Sequence, residues 1–418
     1  MDSLKPSGEA QSALENAPFL RRVSLRNYKS IERADVSLSA LTVLVGKNGS
    51  GKSNFLDALR FLSESLRTSL DHAIRSRGGF QEIKRRLRAA RWVGDFRFSI
   101  EVEVVLPNEQ VAKYGFGIST DPEGGAFRVR SEVLSVHSPT GSPTAYYSVN
   151  SGKVAKSSVG KLPPAFEDRL YLVNASGFPE FRPCYEALSS MSFYDLNPVS
   201  MRSPQPPNTG DLLQEDGSNL ASIVARLKPE AAKRITQYLS AIVPGIIDFG
   251  KVSLGPLETV LFRQQGEDSS HPLEFFAWSM SDGTLRTLGA LVAANQRTDR
   301  DSPVSLVGIE EPETALHPAA AGALMDALRE ASSHTQIVAT SHSPDLLDQV
   351  DLGTDRLLAV VSEKGKTLIA PIDEASREAI RRHLYTPGEL LRLNQLELDR
   401  KYLREQAQAD SILDEDEA

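Results

Sequence analysis

The stretch VGKNGSGKSN, residues 45–54, decides the fold of this chain. It has the spacing G-x-x-x-x-G-K-S of a phosphate-binding loop, in which glycines let backbone N–H groups point into one concavity. The helix that follows adds the positive end of its dipole. Lys52 can reach the β and γ phosphates of a nucleotide, and the Ser53 hydroxyl can ligate Mg²⁺. The predicted phosphate-binding residues are Gly46, Lys47, Asn48, Gly49, Ser50, Gly51, Lys52, Ser53 and Asn54; for Lys47 and Asn48 the alternative is that they only fill the loop.

The segments on either side of this loop supply the strand and the helix that it requires. VSLSALTVLV, residues 36–45, ends in a nearly continuous apolar run, which is typical of a strand covered on both faces. SNFLDALRFLSESL, residues 53–66, places its apolar residues at helical spacing. This order predicts an α/β nucleotide-binding fold. By itself it does not separate a kinase from a GTPase, a transporter motor or a DNA-repair ATPase.

Two adjacent carboxylates follow a second apolar strand in VSLVGIEEPETALHP, residues 304–318. Glu310 and Glu311 end that strand, at the edge where open α/β sheets bind ligands. One carboxylate can hold Mg²⁺. The other can orient, or accept a proton from, the water that attacks the γ phosphate. The alternative is an acidic strand end that only caps a helix.

A histidine ends a third apolar strand in ATSHSP, residues 339–344. The imidazole of His342 can hydrogen-bond the γ phosphate or the attacking water. The alternative is a structural histidine. Its position after the acidic strand favours the functional interpretation.

The fourth motif is WSMSDGTLRTL, residues 278–288. Ser281, Asp282 and Gly283 precede a predicted helix, and backbone N–H groups at a helix N-terminus bind anions. Taken alone, a plain N-cap by Ser281 or Asp282 is the better interpretation of this stretch.

The order GKNGSGKS, SDGTLR, IEEPETALHP, ATSHS resembles the ABC-type ATPase heads of the RecF and SMC group. The likeness is closest to compact bacterial ATPases catalogued as AAA family with ABC-like motifs. LRNYKSI, residues 25–31, looks like the N-terminal strand of that group, and LLQEDGSNLASIV, residues 212–224, resembles a segment of its compact members. The resemblance covers roughly residues 19–372. It implies an α/β P-loop NTPase fold of ABC/RecF/SMC type, with a mixed sheet lobe and an inserted helical lobe.

The resemblance also implies that two copies of the chain share each nucleotide. Ser281, Asp282 and Gly283 fall where the family has its signature loop, which contacts the γ phosphate of nucleotide held by a second subunit. TALHP, residues 314–318, falls at the D-loop. The signature here is SDG rather than the transporter-like SGG.

The remaining matched positions are implied to carry the chemistry. Glu310 falls at the magnesium-associated acid, which is usually Asp, so one extra methylene can shift the ion or insert a water. Glu311 falls at the catalytic glutamate and His342 at the switch histidine. Gln81, in GGFQEI, is a candidate magnesium-contacting Q-loop glutamine; the alternative is an exposed polar residue.

Composition bounds the remaining possibilities. The chain has 418 residues, 40% hydrophobic and 24% charged, which is the balance of a globular protein. A net charge of −8 is not that of a uniformly basic nucleic-acid binder. Cys184 is the single cysteine, so no disulfide can form within the chain. The N-terminus has no signal-peptide pattern and no window has 18 uninterrupted apolar residues, so we expect a cytoplasmic protein without a membrane span.

Charge and composition also predict how the chain is organised. The last nine residues hold five acids, and residues 74–91 hold seven basic residues and one acid. A solvated helix face is the first interpretation of the basic run, and a phosphate or partner contact is the second. The predicted domains are a mobile leader (1–18), an N-terminal ATPase lobe (19–170), an inserted, more helical lobe (171–275), a C-terminal ATPase lobe (276–372), and a helical extension with an acidic tail (373–418).

The function predicted from these residues and the resemblance is an ATP-hydrolysing switch. Two heads would close around two ATP and Mg²⁺ and so control contact with DNA or an effector protein, in DNA repair or antiphage defence. One alternative is a scaffold that senses nucleotide and regulates a separate toxic effector with little hydrolysis. A transporter motor is disfavoured because residues 95–275 are longer than a coupling lobe needs, and a fused nuclease because 76 residues after His342 are too few.

Overall fold

The structure is a computed structural model that describes residues 19–85, 97–120, 126–160, 162–266, 272–296, 304–408 and 411–413. Three predicted features lie outside these residues in whole or in part. They are the leader of residues 1–18, residues 86–91 of the basic run, and the five acids of the last nine residues.

The described strands fall into three groups along the chain, and helices are interspersed with the middle group. The described strands are β1 (Leu20–Tyr28), β2 (Ile31–Ser37), β3 (Leu41–Val45), β4 (Arg97–Val105), β5 (Val111–Thr120), β6 (Phe127–His137), β7 (Pro143–Asn150), β8 (Lys153–Ser157), β9 (Ser192–Tyr194), β10 (Ile246–Leu254), β11 (Leu257–Gln264), β12 (Leu273–Phe276), β13 (Leu306–Glu310), β14 (Gln336–Ser341), β15 (Arg356–Glu363) and β16 (Lys366–Pro371).

The helices lie mainly after the phosphate-binding loop, in the middle third and at the C-terminal end. The described α-helices are α1 (Lys52–Arg67), α2 (Leu70–Arg75), α3 (Phe80–Ile83), α4 (Leu172–Ala175), α5 (Arg182–Ser189), α6 (Pro198–Arg202), α7 (Leu220–Val224), α8 (Pro229–Ile242), α9 (Asp282–Asn295), α10 (Ala321–Ala331), α11 (Pro344–Leu347), α12 (Glu374–Arg381), α13 (Pro387–Arg392) and α14 (Arg400–Gln408).

One large mixed sheet organises the described residues. Its order is β8-β7-β6-β5-β4-β1-β2-β16-β15-β3-β14-β13-β9. The strands β15, β3, β14, β13 and β9 run parallel, whereas β1, β2 and β4 to β8 form an antiparallel arm. The parallel half places the carboxyl ends of β3, β13 and β14 at one edge of the sheet.

The strand β3 shows why the parallel half is closed on both faces. All five of its residues are buried. Leu44 packs into one core with Phe55 and Leu59 of α1, and Val43 packs into a second core with Leu285 of α9. Burying each such side chain stabilises the fold by roughly 1.5–3 kcal/mol relative to leaving it exposed. The α/β P-loop fold predicted from residues 36–66 is confirmed.

The middle third of the chain combines helices with short strands. Helix α8 packs on α9 and α10, and a separate three-stranded sheet has the order β10-β11-β12. The strand β9 leaves this region to pair with β13 at the end of the large sheet. Helix α13 packs on α11, and α14 packs on β2 and β16. The domain boundaries given above remain predictions.

Two smaller expectations concern the whole chain. Cys184 is buried on α5. Within the described ranges, no helix combines the length and the apolar character needed to cross a membrane.

Candidate functional site

Three parallel strands deliver the predicted site residues to the same edge of the sheet. The strand β3 leads into the phosphate-binding loop, β13 ends at Glu310, and β14 ends at Ser341, just before His342. The strand β14 lies between β3 and β13, so all three ends are neighbours. Ligands of open α/β sheets bind at this edge.

The loop itself has the geometry of a phosphate cradle. Gly49 and Gly51 adopt φ of +74° and +104°, which side chains rarely tolerate. A Cβ atom on Gly46 would lie 2.1 Å from the carbonyl oxygen of Val360, so only glycine fits there. The Ser50 hydroxyl is buried and has no hydrogen-bond partner among the residues that the structure describes. An orphaned hydroxyl in a turn of glycines fits a phosphate oxygen as its missing partner.

Lys52 is the first residue of α1 and lies in the middle of the site. It is 5% exposed, and its Nζ donates to the carbonyl oxygens of Gly46 at 2.8 Å and Lys47 at 3.3 Å. Its Nζ is 3.9 Å from Glu311 Oε1. Burial lowers the pKa of Lys52, and the nearby carboxylates of Glu311, Glu313 and Glu310 oppose that shift. A phosphate placed here would meet a preorganised cation.

Ser53 and Glu310, the residues predicted to hold Mg²⁺, are in direct contact. The Ser53 hydroxyl donates to Glu310 Oε2 at 2.5 Å. Burial is the main cause that raises the pKa of Glu310, and the charge of Asp195 adds to it. A hydroxyl and a carboxylate are the hard oxygen ligands that Mg²⁺ takes together with substrate phosphates. The pair therefore fits a Mg²⁺ ion, although their metal role is a prediction.

Gln81, the other predicted metal ligand, lies elsewhere. It is exposed on the short helix α3, which packs against α2. Within the described residues, no hydrogen bond joins it to Ser53 or Glu310. Its role as a Q-loop glutamine remains a prediction, and the geometry of this structure adds no support to it.

Glu311 and His342 form the second pair at this edge. Glu311 Oε1 is 3.0 Å from His342 Nδ1. Glu311 adopts φ of +43°, and its backbone N–H is held by the carbonyl oxygen and the hydroxyl of Thr340 at 3.1 and 3.2 Å. A non-glycine residue in this region is strained, and such strain persists where the surroundings fix a functional side chain. The strained turn directs Glu311 towards both His342 and Lys52.

Glu313 was quoted within the acidic motif but received no role from the sequence. It is 8% exposed, and Ser341 Oγ donates to its Oε1 at 2.5 Å. Its Oε2 is buried, and no group in the described ranges forms a hydrogen bond with it. Burial raises the pKa of Glu313, and the charge of Glu311 acts in the same direction. The motif E-x-x-E in a strand-end turn was the available signal for a third acid.

The predicted signature residues cap α9 and contact the predicted D-loop. The Ser281 hydroxyl accepts from the Thr284 backbone N–H at 3.1 Å, and Asp282 pairs with Arg202. A Cβ atom on Gly283 would lie 2.3 Å from the carbonyl oxygen of Ala315, so the helix start and the turn touch closely. The N-cap that local sequence favoured is therefore present. Contact with a second chain's nucleotide remains a prediction.

Thr367 and Ser30 hold the phosphate-binding loop from its outer side, and the sequence did not predict this role for them. Thr367 Oγ1 donates to the carbonyl oxygen of Ser50 at 2.9 Å and is 2.7 Å from Ser30 Oγ. Asn54, predicted to contact nucleotide, donates its side-chain N–H to Ser30 Oγ at 2.6 Å. Ser30 and Thr367 come from distant parts of the chain, and no local pattern singles them out.

Two protein-family models match the chain. Residues 190–348 match the family described as "AAA domain, putative AbiEii toxin, Type IV TA system". Residues 19–110 match the family described as "AAA ATPase domain". The second match contains the phosphate-binding loop, and the first contains Glu310, Glu311 and His342.

Curated relatives match a short part of the chain. The DNA replication and repair protein RecF of Gloeobacter violaceus is 36% identical over 89 residues, which are 21% of this chain and 23% of that protein. RecF of Bacteroides thetaiotaomicron is 49% identical over 46 residues, which are 11% of this chain and 12% of that protein. The chain thus covers less than a quarter of the length of these relatives.

A solved structure of similar outline is the Smc head domain with an extended coiled coil bound to the C-terminal domain of ScpA, derived from Pyrococcus furiosus. It is 12% identical with a TM-score of 0.48, and the alignment covers 88% of this chain and 99% of that chain. The family-model and RecF matches confirm the predicted resemblance to AAA-family and RecF-like ATPases.

Proposed function

We propose that this protein binds and hydrolyses ATP, dimerises around two ATP molecules, and so switches its contact with DNA or a partner protein. One observation carries the proposal. Lys52, Ser53, Glu310, Glu311 and His342 meet at the carboxyl ends of adjacent parallel strands, in pairs separated by 2.5 to 3.9 Å. These are the parts that phosphoryl transfer to water requires: a cation, a metal pair, a base and a polar group beside it.

Binding of ATP would begin at the loop. Backbone N–H groups of residues 46–51 and the Lys52 ammonium would hold the β and γ phosphates, and the orphaned Ser50 hydroxyl would gain a partner. Ser53 and Glu310 would hold Mg²⁺, which neutralises charge on the phosphates when bound. Because Lys52 is already buried and oriented, little rearrangement is needed to form these contacts.

Hydrolysis would use the pair Glu311 and His342. The Glu311 carboxylate would take a proton from water as the water oxygen bonds to the γ phosphorus, and the bond to the β–γ bridging oxygen breaks. His342 Nδ1, 3.0 Å from Glu311 Oε1, would hold that carboxylate in place by donating a hydrogen bond. Lys52 would stabilise charge on the departing ADP.

Dimerisation would complete the site from a second copy. Ser281 lies at the N-terminus of the 14-residue helix α9, where backbone N–H groups favour an anion. Gly283 packs on the predicted D-loop at Ala315, so the signature and the acidic strand would move together. The resemblance to ABC-type heads supports this arrangement.

The biological setting is supported by names of relatives only. The RecF matches favour a role at DNA and in repair, whereas the toxin description of the family over residues 190–348 favours an effector partner in antiphage defence. A location in the cytoplasm remains a prediction. A nucleotide-sensing scaffold with little hydrolysis is the second candidate, because Glu310 stands where Asp is usual and contacts Ser53 directly.

The variant Glu311→Gln tests the proposal. Without the base, ATP should persist, so light scattering with ATP and Mg²⁺ should give twice the 45.7 kDa mass of one chain. Steady-state phosphate release should fall by roughly 10² to 10⁴-fold, the range for loss of a general base. Glu109→Gln, an exposed acid after β4, is the matched control. A monomer with ATP would contradict the sandwich, and unchanged phosphate release would contradict the role of Glu311.

A further inference from the structure

Glu313 is a buried acid of the candidate site that the proposed hydrolysis does not use. It is 8% exposed and lies two residues beyond Glu311, in the turn that follows β13. Electrostatic interactions link it to Lys52, Glu311 and His342. Glu311 and His342 are both more exposed, so Glu313 is the buried member of the acidic turn beside the histidine.

The hydroxyl of Ser341 joins Glu313 to the segment that carries His342. It donates to Glu313 Oε1 at 2.5 Å and accepts from the Ser343 backbone N–H at 3.0 Å. Ser341 is fully buried, so solvent does not compete for these bonds. The two bonds hold the residues on both sides of His342.

A second set of hydrogen bonds joins the same two segments in the opposite direction. The Glu311 backbone N–H donates to the carbonyl oxygen and the hydroxyl of Thr340. The turn after β13 thus holds the end of β14 through Glu313, and the end of β14 holds the turn through Thr340. The contact between Glu311 Oε1 and His342 Nδ1 joins these same segments, so both attachments help to set its distance of 3.0 Å.

The surroundings of Glu313 suit a hydrogen-bond acceptor better than a charge. Within the described ranges its carboxyl group forms no ion pair, and no group donates to its Oε2. Burial raises the pKa of Glu313, and the charge of Glu311 acts in the same direction, which favours the neutral form. A glutamine could offer its carbonyl oxygen to Ser341 and place its NH₂ group where no described donor opposes it.

We propose that Glu313 is a positioning residue that holds His342 against Glu311 by accepting the hydrogen bond from Ser341. Glu311 and Glu313 then differ in what they require, although they belong to one turn. Glu311 needs its charge, whereas Glu313 needs only its acceptor oxygen. The consequence for ATP hydrolysis rests on the proposed function, but the consequence for the orientation of His342 does not.

The tautomer of His342 in the full chain without nucleotide tests the positioning. ¹⁵N NMR at about pH 8.5, where an ordinary imidazole is neutral, distinguishes Nδ1–H from Nε2–H, and His342→Gln identifies the signal by its loss. In the natural chain Nδ1 should carry the proton, because it donates to Glu311. Glu313→Ala and Ser341→Ala should each give a mixture of the two tautomers. Glu313→Gln should retain the Nδ1–H form.

Glu258→Ala is the matched control for this measurement. Glu258 is also a buried acid that accepts from a serine hydroxyl, that of Ser222, but it lies on β11 in the separate three-stranded sheet. The control should leave the His342 signal unchanged. Ser341→Ala keeps the test decisive if Glu313→Ala does not fold. An Nδ1–H form that persists in Ser341→Ala, or that is missing from the natural chain or from Glu313→Gln, would overturn the proposal.

Steady-state kinetics test the consequence for hydrolysis. Glu313→Ala should lower kcat for phosphate release by about 10-fold, the size expected for losing one hydrogen bond to a buried acid, with KM for ATP nearly unchanged. Glu313→Gln should recover most of that loss. In a His342→Ala background, Glu313→Ala should cause at most about a 2-fold further loss, because its effect passes through His342. An equal loss in both backgrounds would show a purely structural role and contradict the positioning.

The positioning and the ATPase proposals fail separately. A natural chain that releases no phosphate, but whose variants show the expected tautomers, would contradict the ATPase and leave the positioning of His342 intact. Normal phosphate release with the same His342 signal in every Glu313 and Ser341 variant would overturn the positioning alone.

Discussion

The sheet edge that holds the candidate nucleotide site and the antiparallel arm each bury a glutamate, and the two glutamates differ in their hydrogen bonds. Glu313 at the site has one oxygen hydrogen-bonded to Ser341, and its other oxygen has no partner within the described part of the chain. Glu132 in the arm is 0% exposed, and both its oxygens accept hydrogen bonds. A buried polar atom without a partner costs about 1–3 kcal/mol, so the first arrangement needs a reason and the second does not.

The bonds of Glu132 show what a structural acid looks like. Its Oε1 accepts from the hydroxyls of Tyr114 and Tyr147 at 3.1 and 2.9 Å and from the Leu172 N–H at 2.7 Å. Its Oε2 accepts from the Tyr171 N–H at 2.5 Å. This acid joins three strands of the arm to the start of α4. The comparison teaches that a buried acid whose oxygens all accept hydrogen bonds holds secondary-structure elements together. A buried acid with an oxygen that lacks a hydrogen bond, beside a strained turn, marks a place where a ligand or a proton is expected.

The largest expected effect is that of Lys52→Ala on the site. Loss of the buried cation should reduce phosphate release by roughly 10³-fold, since preorganised charge in a dry site is worth several kcal/mol. Binding of a fluorescent ATP analogue should weaken as well. Lys113→Ala, an exposed lysine on β5 of the arm, is the control and should retain activity. Equal activity of the two variants would remove the functional distinction between the regions.

The variant Glu132→Gln tests whether the buried acid of the arm contributes to stability in its neutral form. Burial raises the pKa of Glu132 to about 7 from an ordinary value of 4.5. The group therefore favours folding in its neutral form, fully below pH 4.5, and this contribution is lost as pH rises through about 7. The shift corresponds to about 3 kcal/mol, at about 1.4 kcal/mol per pKa unit.

Denaturant unfolding at several pH values measures this effect. The difference in free energy of unfolding between the natural chain and Glu132→Gln should shrink by about 3 kcal/mol between about pH 5 and about pH 8. Glu109→Gln, an exposed acid, should leave the pH dependence unchanged. A constant difference across this range would mean that Glu132 keeps one charge state, and the contrast with Glu313 would then need another explanation.

The smallest expected effect is that of Thr367→Val, which tests whether the hydrogen bond from Thr367 keeps the phosphate-binding loop in shape. The substitution keeps the shape but removes the donor to the carbonyl oxygen of Ser50. One neutral hydrogen bond contributes about 1 kcal/mol, so ATP should bind about 5-fold more weakly. Thr144→Val removes a similar bond in the arm, from the hydroxyl to the carbonyl oxygen of Val136, and should not change ATP affinity. Equal affinities for both variants would contradict a role for Thr367 in shaping the loop.

The sequence predicted the local parts of this site and missed the long-range ones. The sequence singled out Lys52, Ser53, Glu310 and Glu311 because each stands in a short motif at a strand end, and parallel strands bring their ends together. Thr367, by contrast, lies 317 positions from Ser50 in the chain, and a threonine in a hairpin carries no signal of what it contacts. The roles assigned to these four residues and to His342, Gln81 and Ser281 remain predictions.

The fold, like the site, has parts that the sequence predicted and parts that it did not. The strand β3 and helix α1 were readable because the phosphate-binding loop fixes their order and their apolar patterns agree. The partners of β3 were not readable, since β14 and β15 come from the last quarter of the chain. The pairing of β9 with β13 was equally hidden, because a three-residue strand gives too short a pattern to detect.

The position of β3 between β14 and β15 has a consequence for how the protein is made. A ribosome that adds 5–20 residues per second needs about 15 to 60 s to proceed from Val45 to Gln336. Throughout that time β3, whose five residues are all buried in the folded protein, has neither of its neighbours, while α1 can already cover one of its faces. Both edges of β3 therefore stay open to wrong partners until translation is nearly finished. The candidate nucleotide site is thus completed only late in synthesis, although its defining loop is among the first parts to leave the ribosome.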